Sequence, residues 1–363
     1  MLSKFFKKSV PKNDEVTFSQ RVDAFWEWFS SRCEVYYQAI EDQNFDPYVQ
    51  EVSQKMEELL PSLAWVFGPG EDNVGHSFTV SPEGNPYKAF LCSYLIKRAP
   101  ELKGWTFYDS RQASPTFAGC KMNVAGQSVS ANEIWVSPSI DEDNELIDLV
   151  CWNPAFEDLP EKDRGQITFL WLDEALGEFT VENRIGKIDI NGSALNAAIP
   201  LTELPVFVEE TEMKNAWEKK LPGEYYTGYN IKERGEYESK FLRSDIFTGT
   251  SLLWQISRDY AREEGQLDHP VPDLGVDFVF VVIPRKQLTK GKEIDERADL
   301  EDYFQAAFDV ESSGVCLGGA SGHDNVYLEM IILGGDPAMK VLKDSLKNHS
   351  LGAYASVHSF IKK

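Results

Sequence analysis

The chain has 363 residues, of which 42% are hydrophobic and 12% aromatic, so it can bury a sizeable core and is not of the disordered class. Its formal net charge of -23 comes from 59 acidic and 36 basic residues, and a surface this negative repels a phosphate backbone. We therefore expect no nucleic-acid binding, and the lack of a stretch of about 18 apolar residues predicts no membrane insertion.

The cysteines and histidines give no sign of a metal site. The five cysteines are odd in number, widely spaced and never form Cys-x-x-Cys, which disfavours a disulfide framework or a zinc knuckle. The histidines have no ligand spacing such as His-Glu-x-x-His. We expect no metal, no cofactor and free thiols in a reducing cytoplasm.

The N-terminal segment, residues 1–14, carries a small basic patch formed by Lys4, Lys7 and Lys8 with two phenylalanines. It has no apolar region or cleavage site, so we do not expect a signal peptide. We predict a flexible basic tail, and the alternative is a weak contact with a membrane surface.

Residues 15–205 are predicted to form an N-terminal α+β domain. Apolar residues at helical spacing predict a helix over residues 17–40, which Thr17 and Gln20 begin as a capping box. A helix-strand-strand-helix-strand unit follows, related to the order expected in the C-terminal part. Its predicted elements are a helix over 47–60, strands over 63–67 and 76–80, a helix over 86–97 and a strand over 105–108.

A β-rich extension comes next, followed by a helix over 161–176 that Gly177 ends. Beyond it, Glu174, Glu178 and Glu182 are four residues apart and would share one face of a continuous helix. Because Gly177 breaks that helix, the favoured interpretation is a charged, solvent-exposed face.

Residues 206–235 are predicted to be a charged linker between two domains. Within it, Tyr225, Tyr226 and Tyr229 lie beside glycine, a composition that suits a partner interface. Trp28 in the stretch FWEWF is a second candidate for binding, because it falls outside the apolar stripe of its helix. Its alternative is packing against another element of the fold.

Residues 236–363 are predicted to form a C-terminal ferredoxin-like α+β domain, in the order β-α-β-β-α-β. Its central strand is VDFVFVVIP, which is rich in β-branched and aromatic residues and is apolar on both faces. Helices are expected over 300–308 and 337–347, and strands over 313–317, 326–333 and 354–360.

The stretch GVCLGGASGHDNVYLEM joins two of these strands and contains four glycines. The glycines lead into a strand and no Gly-Lys-Ser/Thr follows, which excludes a P-loop, and Ser321 lacks the G-x-S-x-G spacing of a nucleophile elbow. We predict a β-hairpin whose glycines permit positive φ or a bulge. Ser321, His323 and Asp324 would project from its tip as binding residues, and no residue is assigned as catalytic.

Several stretches resemble a group of bacterial two-module α+β proteins to which no activity is assigned. They are FWEWF, PSLAWVFGPGED, APELKGW, LDEALGEFTVENRIGKIDI with AIPLTELP, LRSDIFTGTSLL and GVCLGGASGHDNVYLEMIIL. The resemblance implies a bacterial cytoplasmic protein and brings no site residues. In class and charge alone, the C-terminal part is also similar to the B-type regulator of ribonuclease E, a small α+β inhibitor.

These observations predict a non-catalytic, cytoplasmic binding or regulatory protein that acts through a protein interface. A specific version is an acidic inhibitor or immunity-type protein, which electrostatic attraction would steer toward a basic partner. The alternative is a hydrolase whose site is assembled around the Gly-rich hairpin, with His323 and Asp324 as its participants.

Overall fold

The computed structural model describes residues 16–124, 127–231, 240–310 and 312–362, so the predicted basic tail lies outside the described residues. The described part is mixed α+β. Its helices are α1 Phe18–Glu41, α2 Asp46–Leu59, α3 Pro86–Ile96, α4 Glu161–Leu176, α5 Glu178–Arg184, α6 Leu204–Asn215, α7 Gln255–Arg262, α8 Glu293–Asp309 and α9 Gly335–Asn348. Its strands are β1 Ala64–Pro69, β2 His76–Ser81, β3 Trp105–Tyr108, β4 Lys121–Val124, β5 Gln127–Ser130, β6 Trp135–Asp141, β7 Leu146–Trp152, β8 Ile185–Ile190, β9 Ile199–Pro200, β10 Thr227–Tyr229, β11 Ile246–Ser251, β12 Asp277–Pro284, β13 Gly314–Gly322, β14 Asn325–Ile332 and β15 Ser356–Ser359.

The chain divides into two compact units, neither of which is contiguous in sequence. Unit I takes the chain up to Leu63, then Pro86–Lys103 and Pro222–Lys363, whereas unit II takes Ala64–Asn85 and Gly104–Leu221. This division differs from the predicted one, in which residues 15–205 and 236–363 were separate domains. The difference arises because β1 and β2 belong to unit II, although the helices α2 and α3 on either side of them belong to unit I.

The predicted linker also differs from the structure. Residues 204–215 form helix α6, whose Leu204 and Val208 are buried in the core of unit II. Glu209 and Glu210 lie on the exposed side of this helix. Charged residues such as these dominate the composition of residues 206–235, which is why the sequence predicts a linker. Only a few apolar residues anchor the helix in the core. The chain passes from unit II to unit I after Leu221, within the range predicted as linker.

Unit II contains three separate sheets in the part of the chain that the structure describes. Strand β2 pairs antiparallel with β1 and parallel with β3, a second sheet pairs β4 with β5, and the third has the order β8-β7-β6-β9. Alternate residues of β7 are buried, as expected for a strand with one face on a core. That core also receives Trp171 of α4 and Val208 of α6.

Unit I is built on a six-stranded antiparallel sheet with the order β10-β11-β13-β14-β12-β15. The apolar strand β12 pairs with both β14 and β15, and its residues from Phe278 to Ile283 are all buried. Helices α8 and α9 contribute Phe304 and Leu342 to the core that covers one face. In the predicted relation between the two parts of the chain, β3 takes the place of β15 as the last strand. The two differ in their pairing, because β15 pairs antiparallel with β12 and β3 pairs parallel with β2.

Helix α1 begins as the sequence predicts. The Thr17 side chain accepts a hydrogen bond from the Gln20 backbone, and the Gln20 side chain accepts one from the Thr17 backbone, which completes the capping box. Phe18, Phe25 and Phe29 are fully buried. This apolar face anchors α1 in unit I, where the Trp26 indole also donates to the Leu95 carbonyl of α3 at 3.0 Å.

The predicted hairpin is present, but its glycines lie within strand β13 and not in the turn. Gly318 has a φ of 121° and lies at a bulge in the pairing with β14. A Cβ atom there would collide with the Thr250 carbonyl oxygen of β11, and one on Gly319 would collide with the Tyr327 carbonyl oxygen of β14. These glycines therefore allow three strands to approach closely, and the turn itself falls at His323 and Asp324.

Candidate functional site: an acidic cleft in unit II

A single glycine sets the local geometry of this site. Helix α4 ends at Leu176, Gly177 adopts a φ of 78°, and α5 begins at the next residue. A Cβ atom on Gly177 would lie 2.9 Å from the Ala113 amide nitrogen and 3.1 Å from the Arg111 carbonyl oxygen. The chain can therefore bend against this neighbouring segment only without a side chain at this position.

The bend carries the Glu178 carboxylate into the protein interior, where it is 5% exposed. One oxygen accepts from the Gly84 backbone N–H at 3.1 Å. The other accepts from the Ser81 hydroxyl at 2.8 Å and from the Arg111 backbone N–H at 3.2 Å. Three donors thus hold a buried carboxylate, and no cationic side chain among the described residues forms an ion pair with it.

Beside Glu178 is a cleft of about 580 Å³, a volume typical of ligand-binding pockets, which we call the acidic cleft. Its lining consists of Glu83, Gly84, Arg111, Gln166, Phe169, Leu170, Asp173, Glu178, Val181, Glu182, Ile185, Gly186 and Ile188. Four of these described residues are acidic and one is basic. Arg111 forms an ion pair with Glu83, while the Phe169 side chain is 51% exposed and gives the cleft an accessible apolar surface.

The carboxyls of Asp173 and Glu182 hold protons more tightly than usual. Desolvation, followed by the charge of Glu178, raises the pKa of Asp173 to about 6, with Arg111 acting in the opposite direction. Desolvation raises the pKa of Glu182 to about 7, and the charges of Glu178 and Asp173 add to the shift. The Glu182 side chain is nevertheless partly accessible to solvent. Both groups therefore change charge near neutral pH.

The arrangement favours a cationic group. A lysine, arginine or amine in the cleft would compensate the fixed Glu178 charge and stabilise the ionised forms of Asp173 and Glu182. Its aliphatic part would contact Phe169 and the isoleucines of the lining. Within the described ranges, no cluster of three or more histidine, cysteine or acidic residues is placed to hold a metal ion.

The hairpin residues proposed from the sequence lie in unit I. Ser321 is inside β13, opposite Val326, and is 7% exposed, so it does not project from the tip. The turn brings His323 and Asp324 together around Asp245: the His323 N–H donates to the Asp245 carbonyl at 3.1 Å, and the Asp324 N–H donates to its carboxylate at 3.1 Å. The structure thus gives these two residues a place in the packing of the turn.

The aromatic candidates differ in their exposure. Trp28 is half-buried, with its ring packed beside those of Phe25 and Tyr36. Tyr225 and Tyr226 are 37% and 49% exposed, which leaves both accessible to a partner. Tyr229 is only 9% exposed, because its hydroxyl reaches into the sheet and donates to Glu329.

The four-residue spacing of Glu174, Glu178 and Glu182 predicts one solvent-exposed face for all three. Glu174 is exposed as expected, whereas Glu178 is buried. The sequence feature that could have indicated a buried Glu178 is Gly177. A glycine between two helical stretches changes the direction in which the next side chain points. The partners of Glu178 come from residues 81, 84 and 111, which no local pattern connects to residue 178.

Comparison of the chain with family models, with curated proteins and with solved structures gave no match. The bacterial resemblance seen in the sequence therefore stays a prediction. Across the described residues, we find no helix that combines the length and the apolarity needed to cross a membrane. All five cysteines are free thiols.

Proposed function

We propose that the chain is a non-catalytic binding or regulatory protein that acts through a protein interface, and that its partner is a basic protein. The observation that carries the proposal is the acidic cleft, where four carboxyls face one arginine beside an exposed phenylalanine. A lysine or arginine side chain of the partner would enter this cleft. An inhibitor or immunity-type protein that masks a basic surface is a specific version of this function.

The charge of the whole chain supports the proposal. A net charge of -23 attracts a basic partner over long distances and speeds association at low ionic strength. The free cysteines fit a reducing compartment, and we propose a cytoplasmic location. We also propose that β12, α8, β13, β14, α9 and β15 form a ferredoxin-like arrangement, which their strand order supports.

The proposal is tested with a fluorescein-labelled peptide of alternating lysine and alanine, whose binding is followed by fluorescence anisotropy at several KCl concentrations. We expect Asp173→Asn combined with Glu182→Gln to weaken binding by about tenfold, equivalent to ~1.4 kcal/mol. The matched control is Glu209→Gln with Glu210→Gln, which removes the same number of carboxyl groups from the exposed side of α6. Equal weakening by both pairs would attribute the attraction to net charge and remove the cleft from the proposal.

A second candidate is an enzyme, and the raised pKa values of Asp173 and Glu182 favour it at the acidic cleft. Carboxyls that titrate near neutrality suit general acid–base catalysis of hydrolysis. The hydrolase predicted around His323 and Asp324 has less support, because Ser321, the neighbouring hydroxyl that could serve as their nucleophile, is buried within the sheet. Hydrolysis of nitrophenyl ester, phosphate or glycoside substrates that Asp173→Asn abolishes and Glu209→Gln preserves would support the enzyme.

A further inference from the structure

Two stretches singled out in the sequence, LRSDIFTGTSLL and GVCLGGASGHDNVYLEM, meet inside unit I, which contains none of the residues of the acidic cleft. Arg243 comes from the first and Glu329 from the second, and their side chains are 2% and 0% exposed. They form a buried ion pair through Arg243 Nη2 and Glu329 Oε1. We call this pair, with Tyr229 and Ser257, the buried polar cluster.

The hydrogen bonds in the buried polar cluster are unevenly distributed. Glu329 Oε1 accepts from Arg243 Nη2, from the Tyr229 hydroxyl and from the Ser257 hydroxyl. Glu329 Oε2 is also buried, yet it has no hydrogen-bond partner among the described residues. Nε and Nη1 of Arg243 are likewise buried and have no hydrogen-bond partner among the described residues. Two nitrogens that carry protons and one carboxylate oxygen are therefore left without a protein partner within the described ranges.

The surroundings hold Arg243 in place. Its guanidinium carbon lies 5.1, 5.0 and 4.8 Å from the ring centres of Phe280, Tyr327 and Phe360. Its backbone adopts a φ of 75°, and its N–H donates to the Tyr327 hydroxyl at 3.2 Å. Left-handed backbone at a non-glycine residue is unfavourable and persists only where the surroundings enforce it.

Arg243 Nε, Arg243 Nη1 and Glu329 Oε2 determine by their hydrogen-bonding needs which kind of group could bind beside them. Arg243 Nε and Nη1 require an acceptor, whereas the ionised Glu329 Oε2 requires a donor. An anion would satisfy only the arginine, and a metal cation only the glutamate. Water both donates and accepts, and internal water commonly completes the bonding of buried polar groups. We infer that the buried polar cluster is an internal water site, with water bound to Arg243 Nε or Nη1 and to Glu329 Oε2.

The inference is tested on the unmodified full chain by crystallography at about 1.5 Å or better. We expect a water peak within about 3 Å of Glu329 Oε2 and of an Arg243 nitrogen. Two parallel bonds that join Arg243 Nε and Nη2 to both Glu329 oxygens, with no peak beside them, would overturn it. A non-water group in the same position would overturn it as well.

Magnetic resonance of the same chain, labelled with ¹⁵N at its arginines, gives an independent readout in solution. We expect the Arg243 guanidinium N–H protons, at Nε or Nη1, to show cross-relaxation with a long-lived water. Arg21 is the matched control, because it is 4% exposed and its Nε donates to the Val16 carbonyl at 3.2 Å. A water signal at Arg243 and none at Arg21 supports the inference, and absence of the signal at Arg243 contradicts it.

Discussion

At the scale of single residues, Gly177 shows how a missing side chain can position a charged one. Its φ of 78° turns the chain between α4 and α5, and the turn directs Glu178 toward the backbone of Gly84 and Arg111. Any other residue at position 177 would meet both backbone strain and the atoms of residues 111 and 113. The acidic cleft therefore depends on a residue that contributes no functional group.

We expect Gly177→Ala to destabilise the protein by about 1–3 kcal/mol, because alanine is strained at positive φ and its Cβ is crowded. Urea denaturation followed by circular dichroism measures the change. Gly165→Ala is the control, since this position lies inside α4 and an added Cβ would meet its nearest neighbour only at 3.9 Å. That control should be neutral or stabilising by up to ~1 kcal/mol. Equal losses for both variants would contradict the role of the bend.

The stability of the protein should fall as the pH rises through the pKa values of Asp173 and Glu182, which are about 6 and 7. Both values are raised in the folded state, so the folded state binds more protons than the unfolded state between about pH 4 and pH 7. Asp173→Asn and Glu182→Gln should therefore raise Tm at pH 8 by on the order of 1–3 °C and change it little at pH 4.5. A larger gain at low pH than at high pH would contradict the assignment.

The buried Arg243–Glu329 pair should be costly to break on one side. Arg243→Met leaves the Glu329 charge buried without its partner, and a loss of about 3–5 kcal/mol is expected. The double variant with Glu329→Met removes both charges and should recover most of that loss, because apolar side chains suit the surrounding rings. Chemical denaturation of the four proteins of this cycle gives the coupling energy. Additive losses would show that the two side chains stabilise the fold independently.

At the scale of elements, the sequence was informative where periodicity was strong. The predicted helix over 161–176 matches α4, and the predicted central strand matches β12 within one residue. The sequence does not predict strand β11, because a glycine interrupts FTGTS, although its phenylalanine and threonines favour strands. Gly249 is nevertheless required there, since a Cβ atom would overlap the ring of Tyr229. Such a requirement comes from a distant residue, and local pattern cannot show it.

Helix α6 offers a direct test of an element that composition alone assigned to a linker. Val208 is 3% exposed in the core of unit II, and Val208→Ala should cost about 1–3 kcal/mol through lost burial and a small cavity. Val206 lies on the same helix but is 56% exposed, so Val206→Ala should change stability by less than about 0.5 kcal/mol. Thermal denaturation of both variants makes the comparison. A Val208→Ala protein as stable as the parent would restore the linker interpretation.

At the scale of the whole molecule, the two units are interleaved along the sequence. Unit I needs helices from the first hundred residues: the Phe18 N–H donates to the Gly275 carbonyl, and the Tyr87 hydroxyl donates to Asp259 at 2.8 Å. One core cluster of unit II, in contrast, is formed by residues between Phe117 and Val208, with partly buried Trp217 beside it. A domain boundary predicted from amino-acid composition cannot reveal this interleaving. Composition does not show which segments of the chain share a core.

This organisation predicts how fragments behave. A fragment of residues 236–363 lacks α1 and α3, so it should expose the surface they cover and show no cooperative thermal transition. A fragment of residues 104–221 lacks β1 and β2 but keeps the Phe117–Val208 core cluster of unit II, and it should be the more stable of the two. Circular dichroism on heating compares them. Cooperative melting of 236–363 alone would show that the C-terminal segment folds as an independent domain.

The interleaving also sets an order of events during synthesis. The Phe117–Val208 core cluster of unit II can close once residue 208 has left the ribosome. The N–H groups of Phe18 and Ser19, in contrast, must wait until their acceptors, the carbonyls of Gly275 and Leu333, have been made. The start of helix α1 therefore spends most of translation without these two partners, as a target for chaperones or for association with other nascent chains. Slowing of translation before residue 275 should accordingly be more harmful to this protein than slowing after residue 333.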